Sequence, residues 1–173
     1  MKSKIMPSVV LGSICLVVAL LLSVVNMFTA PVIEDALNQK NLAAMKEVLP
    51  NATELKQTNV YDGRLDKSIK NVYEGPEGYV FQVSAKGYSS AGMTIMIGVD
   101  QDGKIAGTKC TANQETPDKA TPVFEKTEGG YYIGQDSTSF DPLLVSGATY
   151  TSGGYSSAVK AALDAYAIIK GGN

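Results

Sequence analysis

The chain has 173 residues, with 15 Lys and Arg against 17 Asp and Glu, and it contains no histidine. A near-neutral balance provides no basic footprint for nucleic acid, and without imidazole the usual proton shuttle, the commonest metal ligand and every Ser-His or Cys-His nucleophilic pair are missing. Two cysteines, Cys15 in an apolar run and Cys110 in an expected strand, suit neither a disulfide framework nor a zinc site, so no metal centre and no catalytic residue is expected.

From Val9 to Phe28 the chain reads VVLGSICLVVALLLSVVNMF, without a charge. At helical rise such a run spans roughly 30 Å, the hydrocarbon thickness of a bilayer. Lys2 and Lys4 precede it and Glu34 and Asp35 follow it, so the positive-inside rule predicts a cytoplasmic N-terminus and an extracytoplasmic remainder. A cleaved signal peptide shares this pattern. The length of the run and the bulky Phe28 before Thr29-Ala30 favour an uncleaved anchor in the cytoplasmic membrane. The expected division is therefore a cytoplasmic N-terminus and transmembrane anchor over 1–30, and one extracytoplasmic domain over 31–173.

Glu34 to Leu49 places Leu42, Met45 and Leu49 at helical spacing and meets a stop at Pro50-Asn51, which predicts an amphipathic helix. Ala52 to Lys70 is polar and mixed and receives no element. Tyr79 to Ala85 alternates, Met93 to Val99 is nearly all apolar, and Asp100-Gln101-Asp102-Gly103 carries hairpin chemistry before a returning strand from Ile105 to Thr111. A central antiparallel meander follows. Periodicity fades from Thr111 to Asp141, and an unpatterned stretch of that length reads as functional surface rather than linker. Tyr155 to Lys170 reads as a last helix, with Val159, Leu163 and Ala167 on its inner face and Gly171-Gly172 ending it. The fold class is α+β, a largely antiparallel sheet flanked by helices.

Just ahead of that helix, residues 145–154 read VSGATYTSGG. Two readings of this concentration of hydroxyls and glycines stand side by side. The first is an anion site, where free amides and the positive end of the helix dipole face a phosphate. The second is ordinary capping, with Thr151 or Ser152 at the N-cap.

Ser146-Gly147-Ala148-Thr149-Tyr150-Thr151-Ser152 follows the pattern S/T-G-A-T/S-x-T/S. It resembles the FMN-binding domain family shared by the G subunit of the Rnf electron-transport complex and the C subunit of the sodium-translocating NADH:quinone reductase. Ala43 to Pro50, Gly87, the hairpin at 96–105 and Glu115-Thr116-Pro117 extend the resemblance, whereas Asn113, Asp118-Lys119-Ala120 and Leu143 depart from the family pattern.

The resemblance implies FMN carried through a phosphoester on Thr151, with Ser146, Gly147, Ala148, Thr149 and Ser152 around it and Glu115 and Thr116 on a facing loop. By residue type alone Glu115 is a solvated loop carboxylate. A threonine hydroxyl without a neighbouring base is a poor nucleophile. The resemblance accordingly implies a separate magnesium-dependent flavin transferase that uses FAD. It further implies a redox subunit, incomplete as an enzyme alone, that relays electrons with other membrane subunits of an Rnf-type ion-translocating ferredoxin:NAD+ oxidoreductase, whether Na+ or H+ is moved. A free-standing extracytoplasmic flavin carrier and a non-redox anchored binding module are the alternatives.

Overall fold

The computed structural model describes residues 2–58 and 63–171; Asn59 to Asp62, within the stretch that received no element, and Gly172 lie outside it. Outside it too are the side chains of Lys2, Lys4, Glu34 and Asp35. The chain divides into two units, Met1–Lys40 and Asn41–Asn173.

The first unit is helical, part of α1 (Lys2–Val48). Within it Val10–Thr29 is long and apolar enough to cross a membrane, and its side chains are exposed. A charge-free run dominated by Val and Leu, with only isolated Ser and Asn, gives a helix without a charged face, a surface suited to lipid rather than to water.

The second unit is α+β, as expected. Its sheet is a five-stranded antiparallel meander in the order β1 (Lys56–Thr58), β2 (Ile69–Gly75), β3 (Gly78–Ala85), β4 (Met93–Asp100) and β5 (Ile105–Asn113). The hairpin at Asp100 to Gly103 forms as expected, with Gly103 at φ +80° and the Asp100 carboxylate accepting the N–H groups of Asp102 and Lys104. β1 and β2 received no assignment from the sequence. A register irregularity between Ile69 and Asn71 breaks the two-residue alternation of β2, which hides the strand from a periodicity reading.

Two helices follow the sheet. The stretch 111–141 contains α2 (Pro117–Lys126), which corrects the expectation that it lacked regular structure. Pro117 occupies the first turn, where a missing N–H costs nothing, and Ala120 and Val123 turn inward at a spacing of three. Pro122 in mid-helix masks this pattern in the sequence. A π-helical turn, Thr127–Tyr131, follows and is kinked at Gly130, whose φ is +101°. The last helix, α3, runs from Thr149 to Gly171.

Why β4 is nearly all apolar becomes clear from its two covered faces. Tyr79, Phe81, Val83, Ile95, Ile97 and Val99 pack with Val123 of α2 and with Tyr155, Val159, Ala162 and Leu163 of α3. On the reverse face Val80 and Met96 meet Ala44, Met45, Val48 and Leu49 at the end of α1. The buried face of that helix end is therefore 44, 45, 48 and 49; Leu42, expected on it, is 57% exposed. Similarly, Ala167 is exposed and Ala165 takes the inward position on α3.

Gly98 and Gly107, paired across β4 and β5, make the notch that admits Val48. A Cβ on Gly98 would run into the Val48 carbonyl oxygen, and one on Gly107 would stand 2.9 Å from the Val48 Cα. Gly98→Ala should therefore lower the unfolding free energy by about 1–3 kcal/mol through overpacking, measured by urea denaturation of the full chain. An unchanged midpoint would show that the helix end does not need the notch.

Candidate functional site

α3 starts earlier than its apolar periodicity indicates. Its first main-chain bond from outside the helix runs from the Ser152 N–H to the Ala148 carbonyl at 2.9 Å, so Thr149, Tyr150 and Thr151 form the first turn and Ala148 is the residue before it. Neither Thr151 nor Ser152 is an N-cap, which corrects the capping reading. Gly153 and Gly154 are helical as well, although glycine is a poor helix former. Tertiary contact decides the matter at Gly154, where a Cβ would collide with the Lys86 carbonyl oxygen at the end of β3.

The serines of this segment serve to bind a loop to the helix. Ser152 Oγ accepts the Val145 N–H at 3.2 Å and donates to the Ala148 carbonyl at 3.0 Å. Ser156 Oγ lies 2.8 Å from the Tyr132 hydroxyl, which accepts the Leu143 N–H at 3.1 Å. Burial, the largest influence, raises the Tyr132 phenol above the ordinary tyrosine value and keeps its proton in place. Residues 143–148 are thereby fastened to α3, and the turn from Val145 to Ala148 closes with Gly147 at φ +76°, a conformation that favours glycine.

Glu115 departs most from its expectation. Rather than a solvated carboxylate it is 5% exposed, and it accepts the Tyr88 N–H at 2.9 Å, the Ser89 N–H at 3.0 Å and the Thr151 hydroxyl at 2.8 Å. Gly87 makes room for it, since a Cβ there would stand 2.7 Å from Oε2. The meander brings these partners together. Ala85, Met93 and Asn113 are neighbours across β3, β4 and β5, so the loops leaving Ala85 and Asn113 emerge at one end of the sheet.

Above this carboxylate lies a cavity of about 360 Å³, of the size that small-molecule sites occupy. Thr116 and Lys119 form one wall, and Gly147, Ala148, Thr149 and Thr151 form another. Tyr88 and Tyr150, 71% and 74% exposed, complete it with ring centroids 6.4 Å apart.

Of the residues expected around the site, Thr116, Gly147, Ala148, Thr149 and Thr151 line the cavity, Glu115 lies buried beside it, and Ser152 turns into the protein. Ser146 is exposed on the turn and is absent from the lining. Thr149 is exposed, whereas Thr151 is only 1% exposed and its hydroxyl is engaged by Glu115. Tyr88, Lys119 and Tyr150 were not anticipated. Exposed tyrosines and lysines are common surface residues, and only their convergence marks these. Tyr132 lies in the core, stacked on Tyr155 at 6.2 Å.

The chemistry of this wall suits a flavin mononucleotide: an ammonium for a phosphate, an accessible hydroxyl, and two exposed rings against which a planar heterocycle can pack. Replacing Glu115 by Gln should turn an amide NH2 toward groups that need an acceptor and lower stability by about 1–3 kcal/mol in denaturant melts. Gly87→Ala, which crowds the same carboxylate, should act in the same direction.

Comparison with known proteins agrees with this chemistry. Residues 87–164 match the FMN-binding domain family. Over 128 residues the chain is 29% identical to a protein of Stutzerimonas stutzeri named as the G subunit of an ion-translocating oxidoreductase complex, an alignment covering 65% of this chain. The chain spans about half (53%) of that relative's length.

Proposed function

We propose that this chain, which carries an FMN-binding domain over residues 87–164, is a single-pass membrane flavoprotein that relays electrons within an Rnf-type ion-translocating complex. The relative's name supports the complex, the apolar Val10–Thr29 helix supports the membrane, and the flanking charges support an extracytoplasmic domain. When bound, FMN supplies one- and two-electron chemistry, and the protein supplies position and electrostatics.

The attachment is a phosphoester to a threonine of the SGATYT segment. The motif match points to Thr151. One observation favours Thr149 instead: the Thr149 side chain is exposed on the cavity wall, whereas Thr151 is buried and donates its hydrogen bond to Glu115. A flavin transferase needs an oxygen it can reach. The Thr149 oxygen forms a bond to the flavin-side phosphorus of FAD, the pyrophosphate bond breaks, AMP leaves and the hydroxyl proton is released. No imidazole exists in the chain to take that proton, and the transferase supplies the base. Thr151 then acts with Glu115 to hold the first turn of α3 in place, while Tyr88, Tyr150 and Thr116, which line the cavity, would hold the flavin.

The test is the full chain produced together with a flavin transferase, separated on a denaturing gel under ultraviolet light and weighed intact. Wild type should fluoresce and gain one FMN less water. Thr149→Ala should lose both signals, and Thr151→Ala should keep measurable attachment. Loss in Thr151→Ala with retention in Thr149→Ala would return the linkage to Thr151; bare polypeptide in the wild type would reject covalent attachment.

A further inference from the structure

Lys119 stands where helix electrostatics disfavours it. It is the third residue of α2, in the first turn, where the helix dipole attracts acids and repels cations. Lys56, Lys109 and Lys160 each pair with a carboxylate, but among the described residues no ion pair involves Lys119. Its Nζ lies 3.8 Å from the position a Cβ on Gly147 would take, and beyond the residues flanking Gly147 no other described atom lies within 4 Å of that position. The ammonium thus overhangs the turn that leads directly into Thr149, on the wall of the same cavity.

Lys119 is exposed, and its ammonium, without a carboxylate partner among the described residues, stands over a bare glycine turn in a helix first turn that disfavours a cation, an arrangement that an incoming anion would offset. We propose that Lys119 is a phosphate-binding residue of this chain, pairing with the ester phosphate once the flavin is attached. This rests on the attachment proposed above. The linked phosphate carries one negative charge, and a lysine on its flexible four-carbon stem can follow that charge without the fixed geometry an arginine requires. Of the described cavity-lining side chains, Lys119 alone is a cation; the others are glycine, alanine, threonine and tyrosine.

The experiment compares full-length, detergent-solubilised wild type, Lys119→Met and Lys119→Arg, each produced with and without the transferase. The quantity read is the rise in melting temperature that flavin attachment causes. At low salt that rise should be about 2–4 °C larger in wild type and Lys119→Arg than in Lys119→Met. In 1 M salt, where the screening length falls to about 3 Å, the difference should largely vanish. Equal rises in all three proteins at low salt would overturn the proposal and leave Lys119 a solvated surface cation.

If Lys119→Met is modified incompletely, the modified fraction measured by intact mass becomes a second readout. Recovery in Lys119→Arg supports a charge contact, and a matching deficit in Lys119→Arg overturns it. Absence of flavin from the wild type is seen by mass before any melt, and it removes the parent reading rather than this one alone.

Discussion

The arrangement of the site depends on one buried carboxylate. Glu115 draws together the loop after β3, the loop after β5 and the first turn of α3 through two main-chain N–H groups and the Thr151 hydroxyl. A carboxylate withdrawn from water is tolerated only when donors replace the lost hydration, so the three segments must meet at it for the fold to be stable. Gly87 is part of the same constraint, because its missing side chain is the space the carboxylate fills.

That constraint explains how two threonines of similar sequence context take different roles. Thr151 faces inward and gives its hydroxyl to Glu115, whereas Thr149, two residues earlier on the helix, is left on the cavity wall. Helical geometry separates residues two apart by more than half a turn, so they cannot share a face. The serines complete the division of labour: Ser152 and Ser156 spend their hydroxyls on the loop that precedes the helix, which holds the Gly147 turn beneath Lys119.

The sheet beneath is covered on both faces. α2 and α3 close one face and the end of α1 closes the other, where the Gly98 and Gly107 pair admits Val48. The cavity at the end of this sheet is placed by strand register, because the loops that carry Tyr88 and Thr116 leave paired strand ends. The two loops that meet at Glu115 are tied to each other by the Gln114 N–H bound to the Gly92 carbonyl.

Sequence alone determined the elements whose chemistry is local. The charge-free run to Phe28, the alternation of β3, the Asp100 to Gly103 turn and the SGATYT motif each carry their own signal within a few residues, and the α+β class followed from them. Tertiary structure decided what depends on partners distant in the chain. β2 escaped notice because an irregular register spoils its alternation, α2 because Pro122 interrupts its pattern, and the start of α3 because hydroxyls and glycines are poor helix formers until buried neighbours hold them. The burial of Glu115, the different exposures of Thr149 and Thr151, and the convergence of Tyr88, Lys119 and Tyr150 arise from strand pairing between residues dozens of positions apart, and no local pattern encodes that pairing.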